Sequence, residues 1–176
     1  MTRLFMTSDP RLRLFIDSGP FVALYYKNDE HHRGAVDSFA KIARNGIRYR
    51  KLYTSDYVLD EAITTCRRRT GSHELSVRLG TDILASKSIV MLKVDERTIQ
   101  ESWALYKERD DVRLSFTDAT CATLAKTHGI TNIFTYDGRD FRPLNLNVIS
   151  GLWTSNQASL PCRCGNRRPP TSEIDA

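Results

Sequence analysis

Short apolar runs of strand length, each followed by a longer stretch with helical spacing, constrain this chain more than any other feature. Leu12, Leu14, Phe15 and Ile16 form the first run, which closes at Asp17-Ser18-Gly19-Pro20. Leu52-Tyr53-Thr54, Ile89 to Val94, Ile133-Phe134-Thr135 and Leu146 to Ile149 repeat it. A helix is expected to begin at Pro20, whose ring suits a first helical position, and to carry Phe21, Val22, Leu24 and Tyr25. A second spans about Glu30 to Arg44 and stops before Gly46. Ser55 is a natural N-cap for a third, through Val58, Leu59, Ala62, Ile63 and Cys66. Gly71-Ser72 restarts the helical pattern through Leu75, Leu79 and Ile83, and another runs from Glu96 to Lys107. The last opens at Ser115 and is kept narrow by Ala119, Ala122 and Ala125. Strands alternating with helices predict an α/β fold: a short, mainly parallel sheet flanked by helices.

A chain of 176 residues suits one domain, expected over residues 12–150, with residues 151–176 as a polar, flexible tail rich in Pro and Arg. The balance of 26 Lys+Arg against 21 Asp+Glu, a net +5, permits an anionic partner without establishing one. Cys66 and Cys121 fall in apolar helical patterns and read as buried thiols. Cys162 and Cys164 sit in the tail, with no second pair nearby to complete a zinc site. No signal-length apolar segment opens the chain and no run is long enough to span a membrane, so a reducing, cytoplasmic setting is expected.

The acids are placed in a pattern. Asp17 directly follows the first strand, Glu61 lies two turns into the helix after the second, Asp118 opens the Ala-rich helix, and Asp137 follows the Ile133 strand. In open parallel sheets, sites form in the crevice beyond the carboxyl ends of the strands. Each acid has an ordinary structural role to weigh against this. Asp17 suits a helix cap, and Ser115-x-x-Asp118 fits a capping box. Glu61 suits a solvated helix face, and Asp137-Gly138 is a turn dipeptide. Taken jointly, all four arrive at one edge of one sheet. Their repulsion needs compensation, which a hard divalent cation such as Mg²⁺ or Mn²⁺ provides through oxygen ligands.

The strings Phe15-Ile16-Asp17-Ser18, Thr54-Ser55 with Leu59-Asp60-Glu61-Ala62, Ser115-Phe116-Thr117-Asp118-Ala119 and Thr135-Tyr136-Asp137-Gly138-Arg139-Asp140-Phe141 resemble the PIN-domain nucleases. Within that family the likeness is to VapC-type toxins of toxin–antitoxin pairs, and it covers about residues 12–150. The resemblance implies a PIN-like three-layer sandwich and an endoribonuclease dependent on Mg²⁺ or Mn²⁺. It implies catalytic, metal-binding acids at Asp17, Glu61, Asp118 and Asp137, with Asp140 as an accessory ligand. It also implies an RNA substrate, a homodimer and a small antitoxin protein. A PIN nuclease of RNA maturation or decay without an antitoxin, and a degenerate RNA-binding module, are the alternatives. The chain is longer than a minimal member, and its tail has no counterpart in the family pattern.

Asp17 and Asp118 are the favoured inner ligands, because a strand end and a helix start fix their backbones; Glu61 and Asp137 are expected to hold ligating waters. Ser18 and Thr117 are candidates to orient carboxylates. Arg67 and Arg68, Arg139 and Arg142, and the stretch Arg44, Arg48, Arg50 and Lys51 are candidate phosphate contacts, each of which also reads as a solvated charged face. His31-His32 is set aside as a metal pair, since adjacent residues at a helix start point apart.

Overall fold

A computed structural model of the protein describes residues 9–151 apart from Asn45, so the expected tail, with Cys162 and Cys164, lies outside the described residues. Among the described residues there are five strands: β1 (Arg13–Ile16), β2 (Lys51–Ser55), β3 (Ile89–Leu92), β4 (Asn132–Phe134) and β5 (Asn147–Ile149). All neighbours pair in parallel, in the order β3-β2-β1-β4-β5. Seven α-helices connect them: α1 (Ser18–Tyr25), α2 (His32–Ala43), α3 (Asp56–Thr70), α4 (His73–Ala85), α5 (Glu96–Glu108), α6 (Phe116–Thr127) and the short α7 (Gly138–Phe141). Short 3-10 turns cover Pro10–Leu12 and Arg142–Leu144.

The expected α/β sandwich is the one observed. Leu14, Phe15 and Ile16 of β1 are each fully buried. Successive strand side chains point to opposite faces, so both faces of the central strand are covered. Because parallel crossovers are right-handed, the reversal of direction between β3 and β4 puts α1–α4 on one face and α5–α7 on the other. α3 packs on α4 and α1, and α5 packs on α6. The core joins Phe15, Phe134, Phe141, Leu79 and Val58, and the free thiols of Cys66 and Cys121 are buried in it.

Local chemistry explains most of the boundaries. The Ser55 and Ser72 hydroxyls accept from the amides of Val58 and Leu75, three residues on, and the Asp95 carboxylate does the same for Thr98. α1 starts two residues earlier than expected, at Ser18, which puts Pro20 at its third position. The first turn of a helix has no internal acceptors for its amides, so a missing N–H there costs nothing. The sequence patterns also passed over α7, because four residues are too few to show a period.

Gly71 ends α3 with φ of 66°, the left-handed region, and a Cβ there would meet nothing within 4 Å. Its replacement by Ala therefore isolates backbone strain from packing. Gly71→Ala is expected to cost about 1 kcal/mol and lower Tm by roughly 2–4 °C in a thermal melt. An unchanged melt would mean that α3 ends without need of that conformation.

Candidate active site

Between β1 and β4 the connections leave in opposite directions, which makes the carboxyl ends of these two strands the switch point of the sheet. Asp17 is the residue immediately after β1 and Thr135 the one immediately after β4. The backbone N–H of Asp17 donates to the Phe134 carbonyl at 3.0 Å, extending the β1–β4 pairing into the site.

Asp17 sits at the N-cap of α1 but makes no capping hydrogen bond. It is only 5% exposed, and its Oδ2 accepts from the Thr135 hydroxyl at 2.8 Å. Its Oδ1 is buried with no hydrogen-bond partner. Burial foremost, and then the charge of Asp118, push its pKa up to about 7, against the opposing pull of the Thr135 hydroxyl and the Ser18 amide. Glu61 is half-buried on α3, and its Oε2 is likewise buried without a partner. Burial and the nearby Asp118 raise its pKa, while the Ser18 hydroxyl partly offsets the rise.

Asp118 fills the capping role weighed for it. Its N–H donates to Ser115 Oγ at 3.0 Å and its Oδ2 accepts from the Ser115 N–H at 2.8 Å, a complete capping box. Desolvation still raises its pKa, and Asp140 and Asp137 add to the rise. Asp137 is exposed at the N-cap of α7, with its N–H bonded to Thr135 Oγ1 at 3.1 Å. Asp140, one turn on, is raised by partial burial and by Asp137, and is eased by Arg139 and Arg113. Even the buried Cys121 thiol of α6 feels Asp17, Asp118 and Glu61, which with its burial hold it protonated.

The fold thus brings Asp17, Glu61, Asp118, Asp137 and Asp140 into one electrostatic neighbourhood. As the side chains stand, no three His, Cys, Asp or Glu among the described residues converge tightly enough to close on one ion. Two carboxylate oxygens buried without any donor are nevertheless what a hard cation requires of its ligands, and the all-oxygen donor set fits Mg²⁺ or Mn²⁺. A buried anionic oxygen left unpaired is costly, so this arrangement is poised for a positive partner.

Thr135 is the site residue that sequence reasoning missed. One hydroxyl donates to Asp17 and accepts from the Asp137 amide, tying the two acid-bearing turns together. A threonine at a strand end carries no such signal in sequence, because its partner Asp17 is 118 residues away. Of the two expected orienting groups, the Ser18 hydroxyl bonds Glu61, whereas Thr117 supplies its carbonyl to Thr120 Oγ1 at 2.7 Å. Thr135→Val should leave the fold intact but cost about 10–100-fold in activity or metal affinity, the range typical of groups that orient ligands. Equal turnover by the Val variant in a metal titration would remove Thr135 from the site.

The expected phosphate contacts divide. Arg139 is close enough to Asp140 to lower its pKa, and Arg142 is exposed in the following turn. Arg67 instead donates to the Gly71 carbonyl at the end of α3, and with Arg68 it lines a groove between α3 and α4. Arg69 pairs with Asp29 at 2.8 Å. His31 stacks on Tyr136 at 4.1 Å and His32 Nδ1 bonds the Ala23 carbonyl, so both histidines have structural partners. A groove of about 1040 Å³ lies between α5, α6 and the turn before β5, and none of the five acids lines it.

Fold and site together define a class: a parallel α/β sandwich with a pit of carboxylates at the carboxyl edge of its sheet. The PIN-domain family model matches residues 14–144, and the chain belongs to the PIN-domain family. No curated protein sequence matches it. Among solved structures it is similar to Mycobacterium tuberculosis VapC20, a toxin that cleaves the sarcin-ricin loop. That match has 25% identity and a TM-score of 0.65, and covers 74% of this chain and 94% of that one. It also shares its fold with Rickettsia felis VapBC2 bound to a promoter DNA fragment, at 14% identity and TM-score 0.56 over 78% of this chain and 97% of that one. FitAcB from Neisseria gonorrhoeae has the same fold, at 14% identity and TM-score 0.52, over 77% and 95%.

Proposed function

We propose that this protein is an endoribonuclease that depends on Mg²⁺ or Mn²⁺ and acts as the toxin of a toxin–antitoxin pair. The observation that carries the hydrolytic reading is the pair of donorless carboxylate oxygens, Asp17 Oδ1 and Glu61 Oε2, within a five-acid pit. Asp17, Glu61 and Asp118 would hold the cation, with Asp137 and Asp140 at the exposed rim. A divalent cation held there would supply Lewis acidity for phosphodiester hydrolysis. The chain's own groups do the rest. Thr135 and Ser18 hold the Asp17 and Glu61 carboxylates in place. In the metal-free chain burial and Asp118 hold the Asp17 carboxyl up to about 7, so a cation would displace its proton on binding. Arg139 and Arg142, beside the rim acids, offer cations to the phosphate backbone.

The toxin reading is supported by the likeness to VapC20, at one-quarter identity over nearly all of that protein. The structural neighbours include VapBC2, a complex that contains an antitoxin, and this chain is expected to have a small antitoxin of its own and to form a homodimer. No helix among the described residues is long and apolar enough to cross a membrane. Free, buried Cys66 and Cys121 suit the reducing cytoplasm.

Cleavage of RNA by the purified protein should vanish with excess chelator and return on adding Mg²⁺ or Mn²⁺. Turnover that survives exhaustive chelation would sink the reading.

A further inference from the structure

The amino edge of the sheet is basic where its carboxyl edge is acidic. From Ser38 to Ser55 the chain has no Asp or Glu but carries Lys41, Arg44, Arg48, Arg50 and Lys51. Ile83 to Val94 has no acid either. The parallel pairing of β2 with β3, in which Leu52 meets Ile89, brings the lead-ins of these two stretches together. Carried back two residues, that register sets Arg50 beside Lys87. With Lys51, both line a cleft of about 480 Å³ that no Asp or Glu lines. The backbone of Arg50 is fixed there, because its N–H donates to the Leu12 carbonyl at 2.9 Å. The Arg48 guanidinium lies over the Tyr49 ring at 4.9 Å and donates to the Tyr49 hydroxyl at 3.0 Å. Arg44, Arg48, Arg50, Lys51 and Lys87 are all exposed, and among the described residues no carboxylate pairs with any of them. Like charges on neighbouring strands repel, so this edge carries a cost that an anion would offset.

We infer that this edge is an exosite, a second surface that holds the phosphate backbone of the RNA at a distance from the cut. The inference rests on the ribonuclease reading above. Three observations favour an RNA backbone over other anions. The cations extend past the cleft along a loop and the starts of two strands, which suits a chain of phosphates rather than a single one. Val90 is the one large apolar side chain exposed on β2 and β3, whereas the centre of a protein interface is apolar and poor in Lys. The metal-free pit of carboxylates repels phosphates, so affinity for a polyanion has to come from cations elsewhere. Contacts of this kind position an RNA without reading its sequence. β2, five residues long, spans roughly 16 Å between the two edges, so an RNA must reach round the domain to touch both.

The test compares two full-length variants that lose the same charge. Arg50→Gln, Lys51→Gln and Lys87→Gln together strip the cleft. Arg78→Gln, Arg97→Gln and Lys126→Gln together remove exposed cations of α4, α5 and α6 instead. Binding of a labelled RNA hairpin is read by anisotropy over a range of salt, in chelator so that nothing is cleaved. The cleft variant should bind about tenfold more weakly at low salt, and its log–log salt slope should be shallower by roughly 2. The variant of α4–α6 should stay close to the parent. Arg50→Lys with Lys51→Arg and Lys87→Arg keeps the charge and should keep the affinity, which separates lost charge from lost folding. In the presence of Mn²⁺ the cleft variant should cleave the hairpin with a raised KM and near-normal kcat. Equal affinity and slope in the cleft variant and the parent would overturn the exosite and leave this edge to an acidic protein. An equal loss in the variant of α4–α6 would overturn it too, because net charge alone would then set the binding. Absence of cleavage by the parent with Mn²⁺ overturns the ribonuclease reading instead, and the binding comparison still decides whether this edge holds RNA.

Discussion

Replacing Asp118 by Asn is expected to abolish most activity while leaving the metal-free protein as stable as before, or more so. Asn caps a helix about as well as Asp, and its side-chain oxygen still accepts from the Ser115 N–H. What the substitution removes is a negative charge that raises the pKa of both Asp17 and Glu61. Relief of about 1 kcal/mol of that repulsion would raise the Tm of the chelated protein by roughly 2–4 °C. Turnover should fall by more than about 100-fold, beyond the usual cost of losing a group that merely orients a ligand. The stabilisation gained on adding Mn²⁺ should shrink in parallel, since less affinity for the native state means less mass-action stabilisation. The substitution is nearly isosteric, so lost packing cannot produce that combination. Near-normal cleavage by the Asn variant would reduce Asp118 to its capping box.

The second large effect is a reversal of the usual dependence of stability on pH. Asp17 titrates near 3.8 when unfolded and at about 7 in the folded, metal-free chain. Its folded pKa is raised, so the native state binds the extra proton. That stabilisation is fully present below about 3.8 and is lost as the pH rises through 7. For this residue alone the loss is on the order of 4 kcal/mol. Glu61, Asp118 and Asp140 are shifted in the same direction and deepen the slope. In chelator, urea unfolding should therefore show stability falling between pH 5 and pH 8. Asp17→Asn should flatten the curve, and Mn²⁺ should flatten it too, because its affinity grows as the ligands deprotonate. Stability that stays level or rises over that window in the chelated parent would show that the pit is not the low-dielectric, self-repelling cluster described here.

Asp118 and Thr135 show what kind of information was readable before the fold was known. Ser115 and Asp118 are three residues apart, so their capping box is a local fact, and sequence spacing reports it directly. Gly71 and Ser72 punctuate α3 and α4 for the same reason: a left-handed φ and a hydroxyl cap are requirements on neighbouring residues. The apolar runs marked β1, β2 and β4, because a strand buried on both faces reads as continuous hydrophobics, and they marked the edge strands β3 and β5 as well, although both stay partly exposed. The acids were found because each stands at the end of one of those elements, and the family resemblance tied them together.

The remainder depended on contacts between residues far apart in the chain. Thr135 holds Asp17 only because β4 inserts beside β1, an order set by the reversal of the crossover after β3. The burial that raises Asp17 to about 7 and strands its Oδ1 without a donor comes from packing on every side, which no spacing encodes. Arg67 and Arg68 sat close to Glu61 in the sequence, but the helix ran its course and they lined the α3–α4 groove instead. Tyr57, Trp103, Tyr106 and Phe116 come from three different helices and meet as one aromatic cluster only because α3, α5 and α6 pack together. The sequence by itself determined which residues carry charge, where elements start and stop, and that strands and helices alternate. Tertiary structure alone decided which charges lose their water and which share a pit, because desolvation and Coulomb repulsion depend on distance in space and not along the chain.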